Sequence, residues 1–575
     1  MKKDISIVLC GEAGQGLQTV EQMLVSILKL SGYHVFANKE VMSRIRGGTN
    51  STEIRIGSKR VNAYVDRIDI LIPFSNKALE WLKRRITSET TIISEKSNLI
   101  DEFILNQEKV IEIDFTHIAK KIGGKLFANV IAVGVILSLF QVEIEIAKQF
   151  ITGRFKSKGE EIITRNIEAL NEGYSIGSTL RSSEKISIDL KKDDSVVNEI
   201  LFNGNQAVAI GALAGGCNFI SAYPMSPSTG VLVFLSQHAK EFGVVVDQAE
   251  DEIAAMNKAI GAWYAGGRAI ASTSGGGFAL MTEGLSLAGM IESPVVVHIA
   301  QRPGPATGLP TRTGQEDLNH ALYAGHGEFP RIIFAPGTIE DAFYLTSTAF
   351  TLADKYQIPV FILTDQSFVD GYYNIPQLDL SDINTKKQFI KTDKNYSRYA
   401  FTDSGISPRG IPGYGKGIIR ADSDEHDENG FITEDVHNIR PKMVRKRLYK
   451  KLELIKKEII KPHFIGTESY KILLISWGST FHIIKEALDL LNRKDIALLH
   501  FKQVYPLEQS ISDYLEKAEQ IVFLEQNATG QFAKLVQKEI SLSMDPNRVR
   551  MFLKYNGASY SVEEIMEYLK KMEVQ

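Results

Sequence analysis

Short runs of branched apolar residues recur through the middle of the chain, and each is separated from the next by a stretch with helical spacing. Runs this short and this uniformly apolar are typical of parallel strands buried on both faces. The pattern predicts a doubly wound α/β domain, in which helices cover both faces of a mostly parallel sheet. The predicted strands are residues 219–223, 244–247, 268–273, 294–300, 331–335 and 360–365.

The same alternation occurs on both sides of this region, so a multidomain α/β chain is expected. Its 575 residues exceed what one hydrophobic core usually organises. We predict an α/β domain over residues 1–185, the doubly wound domain over 195–455, and a third α/β domain over 460–575. Residues 381–437 are polar and rich in Gly and Pro, too long for an ordinary connection, and are predicted to be either disordered or a functional loop.

Composition narrows the classes of function. Basic and acidic residues number 66 and 69 and are spread along the chain, which argues against a nucleic-acid partner. The longest apolar stretch, residues 127–140, is too short to cross a bilayer and is predicted to be a buried helix, so no membrane partner is expected. No signal segment is evident, and we expect a cytoplasmic protein. Cys10 and Cys217 are the only cysteines, too few to ligate an iron–sulfur cluster.

A glycine loop, Gly11-Glu-Ala-Gly-Gln-Gly16, follows the first predicted strand and opens a helix. Backbone N–H groups in that position can hold a phosphate. The spacing is not G-x-G-x-x-G, and no convincing ribose-binding acid follows the second strand. A phosphate site and a simple tight turn both stay open for this loop.

The turn Tyr223-Pro-Met-Ser-Pro-Ser-Thr229 comes directly after a predicted strand, where open α/β sheets place ligands. Its two prolines fix the backbone, so the Ser226 hydroxyl can be presented at a defined place. The alternative is that Ser228 or Thr229 simply caps the next helix. Both interpretations can hold together because they use different hydroxyls.

Acids crowd the segment Asp247-Gln-Ala-Glu-Asp-Glu252, at the end of one strand and the start of a helix. Acids in a first helical turn are common because the helix dipole favours them. The helix that follows is rich in small residues, which permit close packing. A carboxyl held against it would lose solvent, and its pKa would rise.

Arg302-Pro-Gly-Pro-Ala-Thr-Gly-Leu-Pro-Thr311 follows the fourth strand. A fixed guanidinium suits bidentate recognition of a carboxylate, and the Thr311 hydroxyl could take a remaining lone pair. A rigid loop with Arg302 in a structural ion pair is the alternative. A further glycine loop, residues 272–278, ends another strand, so four unusual loops are predicted at one edge of one sheet.

Together these motifs resemble the α subunit of 2-oxoacid:ferredoxin oxidoreductases, in the form with a γ domain fused in front. The resemblance rests on the Tyr223–Thr229 turn, Glu250-Asp-Glu-Ile-Ala-Ala255, the Arg302–Thr311 loop running into residues 312–318, and Phe523-Leu-Glu-Gln-Asn527. It implies a Rossmann-like γ domain, a thiamine-diphosphate-binding domain of the pyrimidine type and a transketolase-C-like domain, in that order.

The resemblance also implies site roles. Glu252 would be the catalytic residue, bonding N1′ of the thiamine aminopyrimidine and favouring the tautomer that removes the C2 proton, with Glu250 as its competitor. Tyr223 and Pro224 would join Glu252 in binding the cofactor. The substrate would be gripped by Ser226, which stands where the family usually has threonine, and by Arg302 and Thr311.

The implied reaction is CoA-dependent oxidative decarboxylation of a 2-oxoacid, with electrons passed to ferredoxin. The chain has no Gly-Asp-Gly and later Asn to place magnesium, so no metal ligand is predicted in it. By the resemblance, a β subunit shares the thiamine diphosphate and supplies Mg²⁺, a [4Fe-4S] cluster and the route to ferredoxin, in an αβ or (αβ)₂ assembly.

The favoured substrate is 2-oxoglutarate, with Arg312 as a candidate for its second carboxylate, and pyruvate and branched-chain oxoacids stay open.

Two rival functions are kept. A nicotinamide-dependent oxidoreductase would use the Gly11–Gly16 loop but leaves Glu252 and Arg302 without a role. A non-catalytic assembly or electron-transfer scaffold would leave Glu252, Arg302 and Thr311 together without a purpose.

Overall fold

The computed structural model describes residues 3–43, 48–100, 109–540 and 545–572. The chain forms two compact units. The first comprises Met1–Asn203, Asp370–Leu378 and Ser561–Gln575, and the second comprises Gly204–Val369 and Asp379–Tyr560. The three domain limits drawn from the sequence stay a prediction.

The strands of both units are numbered here in chain order. They are β1 Asp4–Glu12, β2 His34–Glu40, β3 Thr49–Gly57, β4 Ile70–Pro73, β5 Thr91–Ser94, β6 Val110–Glu112, β7 Ile200–Asn203, β8 Phe219–Ala222, β9 Val245–Gln248, β10 Ala269–Thr273, β11 Val295–Gln301, β12 Ile332–Phe334, β13 Pro359–Asp365, β14 Tyr372–Ile375, β15 His463–Ile465, β16 Ile472–Trp477, β17 Ile496–Phe501, β18 Gln503–Tyr505, β19 Gln520–Glu525 and β20 Val549–Leu553.

α-Helices of at least five residues and one π-helix connect these strands. In the first unit they are Leu17–Leu30, Asn76–Leu82, Phe115–Ile122, Ala128–Leu139, Ile144–Phe155, Glu160–Ser182 and Val562–Lys571. In the second unit they are Gly204–Ala214, Thr229–Gln237, Glu252–Tyr264, Gly275–Met290, Leu318–Tyr323, Ile339–Tyr356, Ile439–Val444, the π-helix Arg445–Lys450, Lys451–Ile455, Phe481–Leu491, Ile511–Lys517 and Gln531–Glu539. Gln366–Asp370 spans the point where the chain passes between the two units.

The first unit is built on one mixed sheet with the order β6-β5-β4-β1-β3-β2-β14-β7. Strands β1, β4, β5 and β6 are parallel to one another, as the alternating pattern predicts. Strand β3 lies antiparallel between β1 and β2, which separates the two strands of the predicted βαβ start. Strand β3 was not predicted because its charged residues are buried in ion pairs. Its sequence therefore lacks the apolar run that marks the other strands.

The apolar stretch predicted to be a buried helix forms Ala128–Leu139, which is buried along almost its whole length. It packs on Glu160–Ser182 with the backbones in close approach. A Cβ atom built on Gly173 would lie 2.0 Å from the Ile131 carbonyl oxygen, so glycine is required for this contact. Within the parts of the chain that the structure describes, no helix is long and apolar enough to cross a membrane.

The larger sheet of the second unit has the order β18-β12-β13-β11-β10-β8-β9. The six strands predicted from the sequence are its six parallel members, and the antiparallel edge strand β18 adds a seventh that was not predicted. All seven residues of β11 are buried, as expected for a central strand covered on both faces.

A smaller sheet, β15-β17-β16-β19-β20, completes the second unit. Its strands β16, β17 and β19 are parallel to one another. Residues 381–437 form irregular structure with three isolated β-bridges. This segment is fixed partly by buried charge, since Arg409 and Arg268 both pair with the fully buried Asp354.

Candidate functional site

The four loops singled out in the sequence all leave the carboxyl ends of neighbouring parallel strands. Strand β8 lies between β9 and β10, and β11 pairs with the other side of β10. Because these strands run in the same direction, the loops that follow them lie at one edge of the sheet. The predicted juxtaposition of the motifs is what the topology produces.

The turn after β8 presents polar side chains at this edge. Tyr223 is 42% exposed, Ser226 is exposed and Pro224 is half-buried. Ser228 occupies the N-cap position of Thr229–Gln237, but its hydroxyl donates to the Met225 carbonyl oxygen at 2.8 Å and does not cap the helix. Ser226 is therefore exposed at this turn, while the buried Ser228 braces it from within.

Glu252 and Glu250 occupy different environments despite being two residues apart. Glu252 begins the helix Glu252–Tyr264 and is only 3% exposed, and its Oε1 is buried with no hydrogen-bond partner among the described residues. Burial raises the pKa of its carboxyl. Glu250 is exposed and pairs with Lys258 at 3.0 Å, and its own backbone N–H and that ammonium lower its pKa.

The helix Glu252–Tyr264 is capped by Asp251, the residue between Glu250 and Glu252. Asp251 accepts a hydrogen bond from the Ala254 N–H at 2.8 Å. Since Asp251 satisfies the helix end, the Glu252 carboxyl is not needed for capping. Its buried, unpaired oxygen is available to a ligand.

The glycine loop after β10 forms the first turn of the helix Gly275–Met290. A Cβ atom built on Gly277 would lie 2.4 Å from Glu252 Oε1 and 2.2 Å from Thr273 Oγ1. The neighbouring Ser274 hydroxyl is buried without a hydrogen-bond partner among the described residues. The glycine is thus what allows the Glu252 carboxyl to sit against this turn.

Arg302 lies next to the turn after β8. Its Nη1 donates to the Ser226 carbonyl oxygen at 2.7 Å, and its Nε is buried with no hydrogen-bond partner in the described part of the chain. Burial lowers the pKa of Arg302, and the charge of Asp317 offsets part of that effect. The structural ion-pair interpretation of Arg302 therefore has a neighbour in Asp317, but the guanidinium keeps a free donor.

Thr311 lies half-exposed in the turn that closes this loop, where the Arg312 N–H donates to the Leu309 carbonyl oxygen at 3.1 Å. In the regions the structure describes, no hydrogen bond joins Thr311 to Arg302 or Ser226. The structure thus brings Ser226 and Arg302 into contact and leaves Thr311 further along the same exposed loop.

The base of the Arg302 loop is fastened by residues of the segments that carry the family resemblance, to which the sequence analysis gave no role. The Gln315 N–H donates to the Gln526 carbonyl oxygen at 2.7 Å, and the Gln526 N–H returns a bond to Gln315 Oε1 at 3.0 Å. The Thr313 hydroxyl donates to the buried Asp365 at 2.9 Å, at the end of β13. Side-chain amides and a threonine in a loop give no sequence signal for such contacts.

Asp317 is a second acid at the candidate site, and the sequence analysis gave it no role. Burial raises its pKa to about 7, with Glu316 adding to the shift and Arg302 opposing it. Its Oδ2 is buried without a hydrogen-bond partner among the described residues. In sequence, an acid just before Leu318–Tyr323 is indistinguishable from an ordinary helix N-cap, yet its side chain makes no capping bond.

The Gly11–Gly16 loop of the first unit is closed partly by its own side chain. Gln15 Oε1 accepts the Glu12 N–H at 2.6 Å and lies where a Cβ on Gly11 would stand. Gly14 and Gly16 have positive φ, as a tight turn requires. The loop borders a cavity of about 320 Å³ that is also lined by Glu21 and Lys39.

Glu252 and the glycine turn beside it, in the second unit, suit an aminopyrimidine ligand. A buried carboxyl with a raised pKa and an unpaired oxygen can bond to a ring nitrogen. Among the residues the structure describes, no group of three or more His, Cys, Asp or Glu side chains is placed to hold a metal ion.

Comparison with known proteins identifies similar chains along almost the full length. Residues 210–446 match the family described as pyruvate flavodoxin/ferredoxin oxidoreductase, thiamine diP-bdg, and residues 6–176 match pyruvate ferredoxin/flavodoxin oxidoreductase. A 2-oxoacid:ferredoxin oxidoreductase subunit alpha from Sulfolobus sp is 32% identical over 99% of this chain and 97% of that protein. The 2-oxoglutarate oxidoreductase subunit KorA of Mycobacterium tuberculosis is 28% identical over 99% of this chain and 91% of its own.

A solved structure is similar throughout. It is a 2-oxoglutarate:ferredoxin oxidoreductase from Magnetococcus marinus with 2-oxoglutarate, coenzyme A and succinyl-CoA bound. The two chains superpose with a TM-score of 0.91 and 29% identity, covering 100% of each.

Proposed function

Because this chain belongs to the family of 2-oxoacid:ferredoxin oxidoreductase α subunits, we propose that it forms the aminopyrimidine side of a site that oxidatively decarboxylates 2-oxoglutarate with coenzyme A. The observation that carries this proposal is Glu252, an acid with an unpaired buried oxygen at the carboxyl edge of the larger sheet.

Glu252 would hold thiamine diphosphate through N1′ of its aminopyrimidine. When bound, thiamine diphosphate supplies the nucleophilic carbon and the electron sink that 2-oxoacid decarboxylation requires. Burial raises the pKa of Glu252, which favours a carboxyl that shares a proton with that ring nitrogen. Tyr223 and Pro224, on the adjacent turn, would pack against the cofactor. Glu250 is an unsuitable alternative because Lys258 already pairs with it.

Arg302 would bind the substrate carboxylate. Its Nη1 is fixed by the Ser226 carbonyl oxygen while Nε remains unpaired, so the guanidinium is oriented but not saturated. The hydroxyls of Ser226 and Thr311 would complete the grip on the carboxylate and keto group. Placing Arg302 on a fastened loop reduces the entropy lost when the substrate binds.

The choice of 2-oxoglutarate is supported by the relatives named for it and by the ligands of the Magnetococcus marinus enzyme. A substrate with a second carboxylate needs a second cation, for which Arg312 is the candidate on this chain. Pyruvate and branched-chain oxoacids are the alternatives within the family.

A β subunit would complete the enzyme. It would share the thiamine diphosphate, bind its Mg²⁺ and carry a [4Fe-4S] cluster that passes electrons to ferredoxin, in an αβ or (αβ)₂ assembly in the reducing cytoplasm. The cysteine count of this chain supports that division, because Cys10 and Cys217 are too few for a cluster and both are buried. A nicotinamide-dependent reaction at the Gly11–Gly16 loop has no such support.

The test is to purify the tagged chain anaerobically with its natural partner and to measure viologen reduction. The expected result is reduction that requires both 2-oxoglutarate and coenzyme A. An Arg302→Ala variant should raise KM for the 2-oxoacid by about 100-fold while retaining thiamine diphosphate, since a lost charged hydrogen bond costs about 2 to 3 kcal/mol. A complex that contains thiamine diphosphate and iron but reduces viologen only with pyruvate would overturn the substrate assignment. No reduction with any 2-oxoacid would overturn the function.

A further inference from the structure

The carboxyl of Asp317 occupies a place that only a glycine neighbour permits. A Cβ atom built on Gly275 would lie 2.2 Å from Oδ1 and 2.3 Å from Oδ2 of Asp317. Gly275 is the first residue of the same helix in which Gly277 contacts Glu252. Two acids therefore press against one helical turn, Glu252 at Gly277 and Asp317 at Gly275.

The backbone holds Asp317 at this position. Its N–H donates to Gln301 Oε1 at 3.1 Å, and Gln301 is in turn fixed by its Nε2 to the Thr364 carbonyl oxygen at 3.1 Å. Gln301 is the last residue of β11 and the residue before Arg302. Asp317 is thus anchored to the strand end from which the proposed substrate arginine emerges.

The charges of Arg302 and Asp317 affect one another. Each shifts the pKa of the other, and each keeps a buried polar atom without a hydrogen-bond partner among the described residues, Nε of Arg302 and Oδ2 of Asp317. An ionised carboxylate beside the guanidinium competes with an incoming carboxylate for the same cation. A neutral carboxyl removes that competition and can donate a hydrogen bond.

We infer that Asp317 is a positioning residue that couples binding of the substrate carboxylate at Arg302 to uptake of one proton. This inference rests on the proposed role of Arg302 and deepens it. With Asp317 neutral, Arg302 is free to bind the substrate. With Asp317 ionised, its negative charge opposes the substrate carboxylate and draws the guanidinium toward itself.

The other charged or titratable groups near Asp317 are consistent with this coupling. Glu316, the preceding residue, accepts the Gly304 N–H at 2.9 Å and adds negative charge. Glu252 faces the same turn at Gly277, and its pKa is raised by burial. His320, on the helix that Asp317 precedes, has its pKa lowered by burial, and Lys538 bonds to Tyr323 at the far end of that helix. Arg302 is the cation whose charge opposes the rise in the pKa of Asp317.

The experiment compares KM for 2-oxoglutarate at about pH 6 and pH 8 in the anaerobically purified complex. Because burial raises the pKa of Asp317 to about 7, the carboxyl is mostly neutral at the lower pH and mostly ionised at the higher one. For binding coupled to one proton, KM of the natural complex should rise by about tenfold between these values. In Asp317→Asn, which keeps the shape without the charge, KM should stay low and change by less than about twofold.

A purely structural role for Asp317 would lower activity or stability without flattening the pH profile. An Asp317→Asn profile that still rises as in the natural complex would overturn the inference. Asp317→Ser, smaller and also neutral, should give the same flat profile and serves if Asp317→Asn fails to assemble. Thiamine content reports assembly in both variants.

Calorimetric binding of 2-oxoglutarate at the same two pH values separates this inference from the proposed function. A complex that binds the acid more tightly at the lower pH, by a difference lost in Asp317→Asn, but does not turn over, supports the coupling and contradicts the reaction. A complex that turns over with pH-independent KM contradicts the coupling alone. A complex that neither binds nor turns over contradicts both.

Discussion

At the scale of single residues, the contrast between Glu252 and Glu250 offers a matched test of catalysis. Glu252→Gln keeps the shape but removes the group proposed to share a proton with the cofactor, so kcat should fall by at least about 100-fold. Glu250→Gln removes only an exposed acid paired with Lys258 and should leave kcat within about twofold. Steady-state viologen reduction measures both. Equal effects of the two substitutions would mean that burial does not distinguish the catalytic acid.

At this scale the sequence predicts candidate residues better than it predicts which residues they contact. The sequence singled out Glu252, Ser226 and Arg302 as candidates because each lies in an unusual loop after a predicted strand, and the family resemblance supplied their proposed roles. It did not identify Asp317, since an acid before a short helix has an ordinary explanation as an N-cap. Only the packing of its carboxyl on Gly275 distinguishes it, and contacts between distant segments are not encoded in local pattern.

At the scale of elements, the first turn of Gly275–Met290 sets the position of the Glu252 carboxyl. Gly277→Ala would place a methyl group 2.4 Å from Glu252 Oε1, so the carboxyl must move and kcat should fall by about 10- to 100-fold. Gly261→Ala is the matched control on Glu252–Tyr264, because its Cβ would meet nothing within 4 Å. That substitution should leave kcat unchanged and stabilise the chain by about 0.5 to 1 kcal/mol. Turnover and denaturant midpoints of both variants decide the matter, and an active Gly277→Ala enzyme would contradict the close approach.

The elements that the sequence predicted are those with a continuous apolar run. The central parallel strands of the larger sheet have such runs because both of their faces are buried, whereas the edge strand β9 is partly exposed. Strand β3 escaped prediction because its buried Glu53 is satisfied by Arg85 at 2.6 Å rather than by apolar neighbours. Edge strand β18 has only three residues, too few for any periodicity to be visible.

At the scale of the second unit, buried charge replaces part of the apolar core that the irregular segment lacks. Glu292 follows the helix Gly275–Met290 and is 1% exposed. Its carboxylate pairs with Lys446 and, at 2.8 Å, with Lys451. Both lysines are buried on the helical stretch that follows residues 381–437. Within residues 381–437, Arg398 donates to the Glu292 carbonyl oxygen at 2.8 Å. The two lysines hold the pKa of Glu292 far below its usual value despite burial. Glu292 thus contacts two other parts of the chain, the helical stretch through its carboxylate and the irregular segment through its carbonyl oxygen.

Glu292→Gln would leave two buried ammonium groups facing a neutral amide, and it should lower the free energy of unfolding by about 3 to 5 kcal/mol. Glu468→Gln is the matched control, since Glu468 is 84% exposed and its pair with Lys517 should contribute only about 0 to 1 kcal/mol. Denaturant unfolding measures the difference, and limited trypsin digestion locates it. Faster cleavage at Lys416 and Arg420 in Glu292→Gln alone is expected, because these residues lie in the segment that Glu292 helps to fix. Equal midpoints for the two variants would mean that the irregular segment is held by its remaining contacts. The attraction between Glu292 and its two lysines would then offset only the cost of burying these charges.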